Sequence, residues 1–218
     1  MVSEPTAFDK AAAQWDDERR TARAQRLAKQ ILQYLKETET ALPQASLLEF
    51  GCGTGLISFA LAPAAQQFYG YDISQPMLER YAAKAKVFTP LFPGQNFKAV
   101  TQLDDVPGVD LIVICQVLHH IENARELIET LKGKLNPGGQ LLVVDFPAGA
   151  DFYHSTTDTE IHHEGFTRQQ WENWCLEAGF ASTDWRIIYQ GTKTDPEGKE
   201  HKYELFLGVA RAQSGENR

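Results

Sequence analysis

The sequence predicts an α/β fold: a mostly parallel sheet of seven strands, covered by helices on both faces and closed by an antiparallel hairpin. Three observations carry that expectation. Short apolar runs alternate with helix-patterned segments between residues 46 and 178, the pattern of strands joined by crossover helices. Several of these runs, Asp110–Cys115 most clearly, are almost wholly apolar, as strands buried on both faces are. Two amphipathic runs, Thr183–Tyr189 and Tyr203–Ala210, flank the turn sequence Asp195-Pro196-Glu197-Gly198 and suit a hairpin.

The elements follow in order. A helical pattern runs to about Thr40 and ends near Pro43. Its apolar side carries Leu27, Ile31, Leu32 and Leu35, and its wet side Arg19, Arg20, Arg23, Arg26 and Lys29. Ser46–Phe50 reads as the first strand, Leu56–Leu61 as a helix stopped by Pro63, and Gln67–Tyr71 as the second strand. Ser74-Gln75-Pro76 opens a helix through about Lys86, with serine as N-cap and proline in the first turn. Val87–Gly94, with two prolines, fits no element. Phe97–Thr101 is a short third strand and Asp110–Cys115 the fourth. A helix over Asn123–Lys134 breaks at Asn136-Pro137-Gly138-Gly139 and leads into the strand Gln140–Phe146. Thr167 caps a helix through Ala178, which Gly179 ends.

A chain of 218 residues buries roughly 70% of its unfolded surface without a metal or disulfide staple. Its three cysteines suit a reducing compartment, the cytoplasm, rather than a disulfide framework. The N-terminus has no apolar signal region, and no apolar run approaches the ~20 residues of a membrane span. The formal net charge of -8 opposes binding to a phosphate backbone. Neither nucleic acid nor membrane is expected as a partner.

Gly51, Gly53 and Gly55 lie directly between a strand and a helix. Glycine permits the tight turn and lets a ligand approach bare backbone, while the helix N-terminus favours an anion such as a carboxylate. A strand-to-helix turn with no ligand would use the same residues. Asp72, 21 residues past Gly51 at the end of the second strand, can accept two hydrogen bonds from a ribose diol. Its alternative task is to cap the helix after it, which Ser74 already does. Both features also fit an NAD-dependent oxidoreductase, although the spacing G-x-G-x-G after Glu49 departs from the dinucleotide pattern G-x-G-x-x-G.

The motif Glu49-Phe50-Gly51-Cys52-Gly53-Thr54-Gly55 resembles the first motif of class I, Rossmann-like S-adenosylmethionine-dependent methyltransferases. Tyr69-Gly70-Tyr71-Asp72-Ile73-Ser74 looks like their second. The run Val109–Ile121 looks like their fourth-strand motif, and Leu135–Leu141 like the turn into their fifth strand. The resemblance spans about Leu47 to Asp145. It implies a helical lid over residues 1–43 and a methyltransferase domain over residues 44–218, with S-adenosylmethionine as cofactor and a small organic molecule as methyl acceptor. By position, Glu49 and the amides around Gly51, Cys52 and Gly53 hold the methionine moiety, Asp72 the ribose, and Ile73 packs on adenine. Gln116 lies beside the amino-acid end, and Met77 and Leu103 complete the implied set. Where the family usually places an acid for the adenine amino group, this chain has Gln102, with Asp104 and Asp105 as alternatives. Phe8-Asp9-Lys10-Ala11-Ala12-Ala13-Gln14-Trp15-Asp16 resembles the lid opening of small-molecule methyltransferases. Trp15 then either covers the sulfonium, as an aromatic face suits a cation, or pins the first helix.

Methyl transfer needs alignment, and a base only where the acceptor must lose a proton. His119 and His120 follow the fourth strand, and His154, His162 and His163 the fifth. His119, His162 and His163 are therefore candidate bases or pocket linings; the alternative for the pair His119-His120 is a backbone hydrogen bond at the strand end. Adjacent His162-His163-Glu164 diverge in an extended segment and lack zinc-enzyme spacing, so no metal is expected. Residues 146–166, with Phe152 and Tyr153, are expected to select the acceptor. The sequence leaves monomer and homodimer both open, and a non-catalytic cofactor-binding module remains a third reading.

Overall fold

The computed structural model describes residues 6–40, 45–149, 160–195 and 197–215; His154, Phe152 and Tyr153 lie outside them. Seven strands are present: β1 (Ser46–Phe50), β2 (Gln67–Tyr71), β3 (Asn96–Val100), β4 (Val109–Cys115), β5 (Leu135–Asp145), β6 (Ser182–Thr194) and β7 (Glu200–Arg211). They form one sheet in the order β3-β2-β1-β4-β5-β7-β6. The first three are mutually parallel, and β7 runs antiparallel to both β5 and β6. The expected fold class is the one observed. Strand order runs outward from β1 to β3 and restarts at β4, so β1 ends at a topological switch point, where open α/β sheets bind ligands. The chain divides into two compact units, Met1–Val109 and Asp110–Arg218.

In the first unit the N-terminal helical pattern breaks in two. Helix α1 (Ala7–Ala11) closes a capping box between Thr6 and Asp9 and passes into a 3-10 turn at Ala12–Gln14. Helix α2 (Glu18–Glu37) then starts afresh, because the Asp17 carboxylate accepts the Arg20 amide at 2.7 Å. Its buried side is Leu27, Ile31, Tyr34 and Leu35, while Arg19, Arg26 and Lys29 are exposed. Helix α3 (Leu56–Ala60) follows β1, and α4 (Gln75–Phe88) follows β2. Of the two prolines in residues 87–94, Pro90 stands in the 3-10 turn Thr89–Leu91 at the end of α4, and Pro93 follows it. Phe59, Phe68, Tyr81 and Phe97 form the aromatic core, with Phe68 stacked on Phe97 at 4.5 Å.

Gly55 sits where this core meets the loop. Its φ is +86°, and an added Cβ would stand 2.6 Å from both the Phe59 and Tyr81 rings. Replacing Gly55 with alanine combines left-handed strain with overpacking, together about 3 kcal/mol, and should lower Tm by roughly 10 °C. Gly94 has φ +92° and open space around it, so alanine there carries the backbone strain alone. Equal melting temperatures for the two variants would refute the packing argument.

In the second unit, α5 (Ala124–Lys132) links β4 to β5, and α6 (Arg168–Glu177) precedes β6. Strand β5 begins at Leu135, earlier than the turn residues Asn136-Pro137-Gly138-Gly139 predict. Asn136 donates to the Asp110 carboxylate at 2.8 Å, Gly138 N–H to Gln213 and Ala212 N–H to Gly139. These bonds draw the turn sequence into the sheet. The hairpin likewise extends to the pair Thr194↔Glu200, beyond the predicted strands. The Asp195 carboxylate staples its end by accepting from Glu197 N–H, Lys199 N–H and the His201 ring.

Candidate functional site

In the first unit, Gly51, Gly53 and Gly55 all take positive φ, at 70°, 52° and 86°. That conformation is natural to glycine and turns the chain sharply from β1 into α3. The N–H groups of Gly51 and Cys52 both donate to the Tyr71 carbonyl, at 2.8 and 2.9 Å, anchoring the loop to the end of β2. Asp72 completes the anchor. One carboxylate oxygen accepts Gly53 N–H at 2.7 Å and the other Ser74 N–H at 2.8 Å. Ser74 does cap α4, accepting Met77 N–H at 3.4 Å, yet Asp72 also serves this helix start. Each carboxylate oxygen keeps a second acceptor position, so both amide bonds are compatible with a bound diol. Burial, foremost, raises the Asp72 pKa above the usual carboxylate value.

Beside Asp72, Ile73 is 81% exposed. Gln102 is exposed and Leu103 half-buried at the end of β3, while Met77 and Cys52 are buried under the loop. Trp15 stands over Gly53, its indole nitrogen 3.5 Å from where a Cβ would lie. The Arg20 guanidinium stacks on the same indole at 4.5 Å, so the ring already serves one cation. Two latches hold this N-terminal segment down. Ser74 Oγ donates to Asp9 at 2.5 Å, and Asp16 accepts from Thr54 Oγ1 at 2.5 Å and Lys84 Nζ at 2.7 Å.

The second unit holds the histidines. His119 is 3% exposed, and its Nδ1 lies 2.7 Å from the fully buried Asp145 carboxylate. That carboxylate also accepts the amides of His119 at 3.3 Å and Phe146 at 2.8 Å. The buried carboxylate thereby orients the His119 ring through Nδ1. His120 stacks on His119 at 4.0 Å between ring centroids, and its Nδ1 donates to the Glu160 carbonyl at 2.7 Å. Burial, then the neighbouring His119, pushes its pKa down to about 4. The amides of His162 and His163 both donate to the His119 carbonyl. The His163 ring donates to the Ile121 and Glu122 carbonyls at 3.0 and 3.3 Å and packs on Phe166. It thus ties residues 160–166 to the segment after β4. The His162 ring is partly exposed, 3.7 Å from Glu160. Gln116, at the end of β4, has φ 55° while its N–H donates to Val144. A non-glycine residue held in that region marks a position the surrounding structure over-determines.

Residues 48–141 match the family model described as a methyltransferase domain. An uncharacterized methyltransferase of Schizosaccharomyces pombe is 33% identical over 156 residues, 64% of this chain and 54% of its own length. The chain spans about half or less of the length of the curated relatives it matches. Among solved structures, a SAM-dependent methyltransferase of Methanosarcina mazei superposes with a TM-score of 0.61 at 19% identity, over 82% of this chain and 97% of that one. Magnesium protoporphyrin IX methyltransferase of Synechocystis with bound SAM gives 0.59 at 20% identity, over 97% and 87%. At such identities the likeness speaks for the fold.

Within residues 48–141, Glu49 is 3% exposed, and its Oε2 accepts Ser58 N–H at 2.9 Å and Ser58 Oγ at 2.5 Å. It thereby satisfies an amide in the first turn of α3. Burial raises its pKa from 4.5 to about 8. Between those values the unfolded chain loses the Glu49 proton while the folded chain keeps it, so stability falls as pH rises through the window. The loss is on the order of 1 kcal/mol per pH unit. Glu49→Gln should flatten that slope in ligand-free melts at pH 5, 6, 7 and 8; an unchanged slope would assign the pH dependence to other groups.

Sequence reasoning missed Asp145, Lys84 and Ser58, and the part that Asp16 plays. Asp145 carries a signal, an acid closing the apolar run 141–144. Lys84 and Asp16 carry none, since 68 residues separate them in the chain. No group of three potential metal-binding side chains occurs among the described residues, and none of their helices is long and apolar enough to cross a membrane.

Proposed function

We propose that the protein transfers a methyl group from S-adenosylmethionine to a small organic acceptor. The observation that carries this reading is the Asp72 carboxylate bridging the Gly53 amide and the Ser74 amide beside the exposed Ile73. A ribose diol on the carboxylate would set its base against Ile73 and Leu103, and Gln102 offers an amide to the adenine edge. Glu49 and the amides of residues 51–53 suit an amino acid's ammonium and carboxylate. When bound, the cofactor supplies a methyl group on a positively charged sulfur, ready for in-line displacement. The chain's own tasks are to hold the loop shape, exclude water and accept a proton where the acceptor carries one. The latched N-terminal segment supports the second task, and the His119–Asp145 pair the third; His162 offers a partly exposed ring beside that pair.

The net charge of -8 argues for a small molecule over nucleic acid as acceptor. Three cysteines outside any disulfide suit the cytoplasm. Calorimetric titration with S-adenosylhomocysteine and, separately, with NAD tests the reading. Micromolar binding of the first and none of the second is expected; binding of NAD alone would make the chain an oxidoreductase instead.

A further inference from the structure

We infer that the Tyr81 hydroxyl is a positioning group for the amino-acid end of the cofactor, acting through Ser58 and Glu49. The inference rests on the methyl-transfer reading above and adds a residue that need not touch the ligand. All three side chains belong to the first unit.

Tyr81 is fully buried on the inner side of α4, the side that also carries Met77, Leu78 and Ala85. Its ring packs on Phe59 at 5.1 Å between centroids and fills the space that Gly55 and Gly70 leave. A Cβ added at Gly70 would stand 2.6 Å from Cζ of Tyr81, the ring carbon that carries the hydroxyl. Gly70 on β2 is the direct partner of Glu49 on β1. Paired residues face the same side of a sheet, on strands about 4.8 Å apart. The fold thus delivers the hydroxyl to the side of the sheet that holds the Glu49 carboxylate, and both Ser58 and Glu49 act on it.

Among the described residues this hydroxyl has no hydrogen-bond partner. A buried O–H without a partner is destabilising, so a residue that only filled this space would do better as phenylalanine. The neighbouring bonds show what the hydroxyl can do. Ser58 gives both its amide and its single O–H to Glu49 Oε2, which leaves the Ser58 oxygen free to accept another donor. A Tyr81 O–H turned toward it completes a chain from Tyr81 through Ser58 to the carboxylate.

Each donor in such a chain polarises the next, and hydrogen bonds to an ionised acceptor are roughly twice as strong as neutral ones. The chain is therefore worth most when Glu49 carries its charge. In the ligand-free protein, burial foremost favours the protonated acid; Asp72 acts in the same direction and Lys84 against it. The ammonium of a bound amino acid favours the carboxylate, whose proton passes to solvent as the ligand enters. Tyr81 then steadies the charge and the direction of the group that meets that ammonium.

Titration calorimetry on the full chain tests this with two probes. One is S-adenosylhomocysteine, and the other is 5′-methylthioadenosine, the same nucleoside thioether without the amino acid. Tyr81→Phe should weaken S-adenosylhomocysteine binding about fivefold, the effect of one hydrogen bond, and change the Kd of methylthioadenosine by less than twofold. The ligand-free Tm should hold or rise, because an unpartnered hydroxyl has gone. In Glu49→Gln there is no charge to support, so adding Tyr81→Phe should alter S-adenosylhomocysteine affinity by less than about 1.5-fold. Equal weakening of both probes overturns the proposal, since the hydroxyl would then shape the whole site. A fivefold effect that persists in Glu49→Gln overturns it as well. So does unchanged S-adenosylhomocysteine affinity in Tyr81→Phe, which leaves the hydroxyl a part of the core alone. Should Glu49→Gln bind too weakly to titrate, the two-probe comparison decides. Absence of S-adenosylhomocysteine binding by the unaltered protein instead brings down the methyl-transfer reading itself.

Discussion

Replacing Asp145 with asparagine is expected to lower kcat/KM for methyl transfer by roughly 10²–10⁴-fold, the range of a general-base contribution. The carboxylate accepts from three N–H groups: His119 Nδ1, His119 amide and Phe146 amide. An asparagine has one accepting oxygen and two donors. Its amide would therefore either face a backbone N–H or push the His119 proton onto Nε2, where it can no longer accept. Part of the effect will be a lower Tm, because Asp145 is fully buried and an unsatisfied buried group costs on the order of 1–3 kcal/mol. Affinity for S-adenosylhomocysteine separates the two contributions, since the loop residues proposed to bind it are untouched. A folded Asp145→Asn protein with kcat/KM within threefold of the parent would remove the His119–Asp145 pair from the chemistry.

The second large effect belongs to Asp72. Its change to alanine should weaken S-adenosylhomocysteine binding by more than tenfold, at least 1.4 kcal/mol on the usual conversion. Two losses combine. The charge-assisted bonds to a ribose diol disappear, and the amides of Gly53 and Ser74 lose their acceptor, so the loop no longer arrives preorganised. Asp72→Asn retains one accepting oxygen and should fall between. Titration calorimetry on the three proteins gives the order directly. Equal affinities would reduce Asp72 to a structural bridge between the glycine loop and the start of α4.

The sheet was legible in the sequence because its strands are short apolar runs bounded by glycine and proline, a signal contained within each segment. The glycine loop and Asp72 were legible because local spacing is tied to the end of a strand. Two things were not. The break between α1 and α2 escaped a reading by apolar period, since the stop depends on Asp17 accepting the Arg20 amide rather than on any loss of pattern. The partners of the site escaped because they are distant in the chain. Asp145 is 26 residues from His119, and Asp9 is 65 from Ser74. The residue types were visible, but which carboxylate meets which partner is a product of strand order. The histidines show the same limit. Sequence grouped His119, His162 and His163 together, but not that one rests on a buried acid, that one fastens a segment to backbone carbonyls, and that one stands partly open.

The two latches of the N-terminal segment make residues 6–17 part of the wall of the loop rather than a leader to it. Their ionic partner, Lys84, lies on α4, and their hydroxyl partners are Thr54 in the glycine turn and Ser74 at the start of α4. Tension applied at the start of the chain is therefore delivered to the glycine turn. On the proposed reading, a bulky fusion or a docked protein at that end would act on the dwell time of the cofactor through the turn, while touching none of the groups proposed to hold it.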